Sequence, residues 1–79
     1  MTSDVVVDAR GTLCPQPVID LARAMAERPS IGESVTLLAD DPATVHDVPA
    51  WCRMRGCTSA LTELNDDTYQ FLVTRNSAS

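Results

Sequence analysis

The sequence predicts an α/β fold of the α+β kind: a two-layer sandwich in the order βαβαββ, with a mixed four-stranded sheet and two helices on one face. Three observations predict it. Short segments rich in β-branched or aromatic residues lie at 5–7, 34–39, 58–65 and 69–74. Two stretches with apolar residues at helical spacing, 15–28 and 42–55, separate the first three of these segments. A chain of 79 residues makes one small domain with a modest core, and two layers are the simplest way to close it. Residues 1–79 are therefore read as a single domain.

Val5-Val6-Val7 is the core of the first strand. Residues 8–13 form a loop, in which Gly11 supplies a permissive backbone and Asp8 can accept from loop N–H groups. Cys14-Pro15-Gln16-Pro17 follows. Proline is well placed in a first helical turn, where the backbone N–H has no intrahelical partner. Cys14 is accordingly read as the N-cap and Pro15 as the first helical residue. Val18, Leu21, Ala22 and Met25 make a core-facing stripe, widened by Ile19 and Ala26, with Asp20 and Arg23 close enough to pair on the other side. Pro29 stops the helix and Gly32 makes the turn.

The second strand, 34–39, carries adjacent leucines, Leu37 and Leu38, as a strand covered on both faces does. Asp41 before Pro42 reads as an N-cap and first helical position, with Asp40 a spare acid near the mouth where both helices start. The second helix keeps a stripe of Val45, Val48, Pro49 and Cys52; Pro49 predicts a kink, or a second start capped by Asp47. Trp51 reads as core, Cys52 as a packed thiol, Gly56 as the helix stop, and Cys57 after it as more reachable. The strands at 58–65 and 69–74 form a hairpin through Asn65-Asp66-Asp67. The crossovers make the connected strands parallel and the hairpin adds antiparallel pairing.

The net charge is −5, from six Lys+Arg, all of them Arg, against eleven Asp+Glu. That balance disfavours phosphate-backbone binding and predicts no direct nucleic-acid partner. No apolar stretch reaches membrane-span length. Three cysteines are an odd number, and no signal-like stretch precedes them, so they read as reduced thiols of a cytoplasmic protein; a monomer is expected.

A free cysteine is often a buried small hydrophobe. Cys14, flanked by proline at a helix start, reads instead as a reactive thiol. The N–H groups of Gln16 and Val18, the helix dipole and Arg10 are expected to favour its thiolate and lower its pKa below the free value of about 8.5.

These residues resemble the TusA/SirA sulfur-carrier family. The resemblance rests on Asp8-Ala9-Arg10-Gly11-Thr12-Leu13-Cys14-Pro15-Gln16-Pro17, then on Asp40-Asp41-Pro42-Ala43-Thr44, Asp47-Val48-Pro49 and Trp51-Cys52. It implies a sulfurtransferase that accepts sulfane sulfur as a persulfide on Cys14 and needs no cofactor or metal. It implies a donor of the cysteine desulfurase, rhodanese or DsrE type and an acceptor sulfurtransferase, serving tRNA thiolation, molybdenum-cofactor maturation or sulfur oxidation. It also implies a fold whose fourth strand lies inside the sheet. Arg10, Gly11, Pro15, Gln16 and Pro17 would support the thiolate, and Asp40 and Asp41 would lie on the docking surface. Leu13 stands where many members carry a basic residue, and Gln16 where some carry Glu. The alternatives are a non-catalytic regulatory module, a thiol-redox pair of Cys14 with Cys52 or Cys57, and a metal site from Cys14, His46, Cys52 and Cys57. The Cys52 to Cys57 interval and the single histidine fit the metal site poorly.

Overall fold

A computed structural model describes residues 5–27, 32–64 and 67–76. The elements are β1 (Val5–Asp8), α1 (Gln16–Glu27), β2 (Ser34–Ala39), α2 (Thr44–Met54), β3 (Cys57–Glu63) and β4 (Tyr69–Arg75). The strand order in the sheet is β1-β2-β4-β3, with β1 parallel to β2 and β4 antiparallel to both its neighbours. The expected mixed sheet with an internal last strand is therefore present. Both helices pack on one face, against each other and against that sheet.

Side-chain alternation builds the core. Rows run across the sheet at Val5, Val35 and Val73, and at Val7, Leu37 and Phe71. Leu21 and Met25 from α1 and Val48 and Cys52 from α2 close over these rows. Burial of this kind gives about 25 cal/mol per Å² of apolar surface, the main favourable term in a chain this small. β3 is an edge strand, and beyond Ser59 its residues are exposed.

Several local expectations change. The buried stripe of α1 is Pro17, Leu21 and Met25, while Ile19 and Ala26 face solvent. Asp20 accepts from Gln16 Nε2 at 2.8 Å. Of the two starts open to α2, Pro42 and Thr44, the helix takes Thr44, because Asp41 first makes a turn with Ala43 and Thr44. The helix then runs through Pro49 without interruption. Proline lacks only its own N–H bond there, and the buried Val48 and Cys52 hold the helix on either side of it. Trp51 is half-buried at the rim of the core. Cys57, expected to be reachable, is 7% exposed because β3 already starts there and turns it inward. Pro29, Arg28 and the Asn65-Asp66 part of the hairpin turn lie outside the described residues; Leu64 N–H donates to Thr68 carbonyl at 2.8 Å across that turn.

Candidate functional site

The loop after β1 carries Cys14, and it is held by carboxylates. Ala9 N–H donates to Leu38 carbonyl at 2.8 Å, extending the β1–β2 ladder by one residue. Gly11 then turns the chain at φ 82. A Cβ at Gly11 would meet nothing within 4 Å, so the left-handed backbone is what requires glycine there. Gly11 N–H donates to both oxygens of Asp40, each at 3.0 Å. Thr12 Oγ1 donates to Ala9 carbonyl at 2.6 Å. Cys14 N–H donates to Asp41 Oδ2 at 2.7 Å, while Asp41 Oδ1 takes Ala43 N–H at 3.0 Å. Asp41 thus ties the cysteine backbone to the approach of α2. These two N–H groups, that of Cys14 first, hold its carboxyl below the ordinary carboxylate range.

Asp40 and Asp41, read from sequence as docking acids, are therefore also the braces of the thiol loop. Arg10 is placed differently from the expectation. Its Nε and Nη2 fork onto Asp8 Oδ1 and Oδ2 at 2.9 and 2.8 Å, and Asp8 is lowered to about 2 chiefly by that contact. The arginine closes on its own loop acid.

The helix start also differs. The Cys14–Pro15 peptide is cis. Cys14 and Pro15 lie in a turn, Gln16 is the first helical residue, and Ile19 N–H reaches back to Pro15 carbonyl at 3.0 Å. Gln16 N–H is taken by Leu13 carbonyl at 2.9 Å. Pro15 and Pro17 have no N–H to offer. Cys14 is then not the N-cap, and the N–H of Gln16 is spent within the turn.

What the sulfur does meet is acidic. Cys14 is half-buried. Burial pushes its thiol up first, then a hydrogen bond to the Asp47 carboxylate, then the charges of Asp47 and Asp41, to about 11. The direction is opposite to the expected lowering: the N–H of Gln16 is taken by Leu13 carbonyl, and burial and the carboxylates of Asp47 and Asp41 all favour the protonated thiol. Asp47, in the first turn of α2, is the site residue that the sequence reading assigned to a cap. Its signal was there: an acid one helical turn after Asp41-Pro42-Ala43-Thr44, at a helix start that shares its brace with the cysteine.

Leu13 is 77% exposed beside the thiol. Cys52 and Cys57 are buried, and among the described residues no group of three or more His, Cys, Asp or Glu side chains converges as a metal site would. The set Cys14, His46, Cys52 and Cys57 does not assemble.

A small mixed sheet with two helices on one face, presenting a single accessible cysteine before a proline-stiffened helix, defines a class of thiol-bearing α/β domains. The model of the family Sulfurtransferase TusA matches residues 5–75, and the chain belongs to that family. The fold superposes on the crystal structure of a SirA-like protein from Desulfitobacterium hafniense with a TM-score of 0.83 and 26% identity, over 92% of this chain and 99% of that one. At the level of the family, the protein is a sulfur carrier of the sulfurtransferase type. Among the described residues no helix is long and apolar enough to cross a membrane.

Proposed function

We propose that the protein accepts sulfane sulfur as a persulfide on Cys14 and relays it to a partner protein. The observation that carries this reading is the placement of Cys14. It is the least buried of the three thiols, is braced through its own N–H by Asp41, and lies within the segment that the family model matches.

The chemistry balances without an oxidant. Cys14 sulfur attacks the outer sulfur of a donor persulfide, R–S–SH; the bond between the two donor sulfurs breaks, and R–SH leaves. The thiol proton of Cys14 ends on the departing donor sulfur, and the Asp47 carboxylate, already hydrogen-bonded to that thiol, is the group that receives it in passing. An acceptor thiolate then attacks the outer sulfur of Cys14–S–SH and restores the thiol. A thiol held protonated in the free carrier does not react with stray electrophiles; docking of a basic donor surface would offset Asp41 and Asp47 and release it.

The donor is proposed to be a cysteine desulfurase, a rhodanese or a DsrE-type protein, and the acceptor a further sulfurtransferase. The pathway is tRNA thiolation, molybdenum-cofactor maturation or sulfur oxidation, in the cytoplasm, with the carrier a monomer of one domain. Leu13, Asp40 and Asp41 form the docking rim; Gly11, Pro15, Gln16 and Pro17 shape the loop and the helix start that present the sulfur.

Intact mass after incubation with a desulfurase and cysteine tests the reading. The expected gain is about 32 Da per sulfur atom, removed by reductant. Cys14→Ser should keep the fold and gain nothing; a Cys14→Ser protein that still takes up sulfur refutes the proposal.

A further inference from the structure

Residues 9–15 carry the chain from β1 to α1, with Cys14 near the end of that loop. Two acids of the β2–α2 connection hold the loop, Asp40 at Gly11 and Asp41 at Cys14. They are used differently. Asp40 turns both oxygens to one donor, the Gly11 N–H. Asp41 divides its oxygens: Oδ2 takes the Cys14 N–H at 2.7 Å, and Oδ1 takes the Ala43 N–H at 3.0 Å. A side chain needs two acceptor oxygens to bridge two N–H donors in this way.

Asp41 is itself anchored to the core. Its carbonyl accepts from Thr44 N–H at 3.0 Å and from Thr44 Oγ1 at 2.6 Å. Thr44 is fully buried at the start of α2. A line of short hydrogen bonds therefore runs from Thr44 through Asp41 to the cysteine backbone. The residues after Cys14 offer no equivalent tie to α2: Pro15 and Pro17 have no N–H, and that of Gln16 is spent on Leu13 carbonyl. Bonds to an ionised acceptor are also stronger than bonds between neutral groups.

We propose that Asp41 is a positioning residue for sulfur transfer: its carboxylate, bridging the N–H groups of Cys14 and Ala43, fixes the cysteine backbone against the start of α2 and so aims the sulfur. On the persulfide reading of Cys14, attack requires the sulfur in line with the donor S–S bond, and a small misplacement costs rate steeply. Asp41→Asn keeps the size of the side chain but leaves one acceptor oxygen and one NH2 group. Whichever backbone N–H faces the NH2 loses its partner and meets a donor. Charge and position then act in opposite senses. The Asp41 charge is among the causes that hold the Cys14 thiol up. Removing it favours the thiolate, while removing the bridge disfavours transfer.

The test compares the parent and Asp41→Asn chains in two reactions. With a persulfide-loaded cysteine desulfurase as donor, kcat for sulfur uptake should fall about tenfold, the loss of one charge-assisted hydrogen bond, at low and high salt alike. With a small neutral alkylating reagent at pH 8, Cys14 should react at least as fast as in the parent. A loss confined to KM, or one that vanishes at high salt, would make Asp41 a docking charge only and overturns the proposal. So does an equal slowing of both reactions, which marks a thiol that has lost its exposure. Circular dichroism verifies that the variant is folded. Amide NMR of the free chain needs no sulfur donor. The Cys14 and Ala43 amides should titrate with one shared midpoint, below the free Asp value of about 3.9, and the shared curve should vanish in Asp41→Asn. Asp40 and Asp47 also face the loop, so the shared curve and its loss are the criterion. Two amides that titrate independently overturn the proposal. A parent chain that takes up no sulfur refutes the persulfide reading instead, and the amide titration still decides whether Asp41 holds the loop.

Discussion

Cys14 and Cys52 have thiols pushed up to about the same value, about 11, in unlike surroundings. Burial is the first cause for both. Beyond that, Cys52 is raised by its neighbour Cys57, with a bond to Ser59 acting the other way, and it is 1% exposed in the packed layer between α2 and the sheet. Cys14 is raised by Asp47 and Asp41, two carboxylates at the surface end of α2. The difference is in what can undo the restraint. Surface charges yield to pH, salt or a docking partner; packing yields only to unfolding. A thiol meant to exchange sulfur belongs in the first setting, and a thiol meant to fill space belongs in the second.

The largest expected effect is kinetic. With a neutral alkylating reagent at pH 8, peptide mapping should show Cys14 modified on the order of a thousandfold faster than Cys52, which reacts only through opening of the core. Equal rates would erase the contrast. Cys57, buried at the start of β3, should follow Cys52.

Stability should divide the same way. Cys52→Ser buries a hydroxyl among Leu, Val and Phe side chains and should cost about 1–3 kcal/mol in denaturant unfolding. Cys14→Ser, half-exposed, should stay within about 0.5 kcal/mol of the parent. A large loss at Cys14 would mean that it is part of the core.

The brace can be broken without touching sulfur. Gly11→Ala should cost about 1 kcal/mol from its positive φ, and it should slow sulfur uptake by displacing the Asp40 bond. Uptake unchanged at reduced stability would separate the loop geometry from the transfer.

The smallest effect sharpens the electrostatics. Asp47→Asn removes the second and third causes of the Cys14 shift, so the rise of alkylation with pH should move to lower pH. The sign follows from the thiol: a folded pKa above the unfolded one means that the protonated form is favoured by folding, a stability contribution present below about pH 8.5 and lost as pH rises toward about 11. The variant should narrow that window. An unmoved profile would show that burial alone sets the value.

The sequence by itself determined the element order and the burial of Cys52, and its family resemblance implied the internal last strand. These follow from side-chain periodicity, from proline at a helix start and from the family pattern, all of which act over a few residues or are carried by the chain as a whole. The tertiary structure alone decided the electrostatics of the thiol. Helix-start donors favour a thiolate only when they are free, and here the N–H of Gln16 is taken by Leu13 carbonyl while that of Cys14 is bound by an acid 27 residues away. Arg10 is nearest to the cysteine in sequence among the basic residues, and its guanidinium forks onto Asp8, two residues away. Cys57 was read by its distance from a glycine stop, but its exposure was fixed by the pleat of β3, which turns it inward. Asp47 was legible as an acid in a first helical turn; that it faces the sulfur depends on how two loops meet, and hydrogen-bond partners chosen across the fold are not written in local spacing.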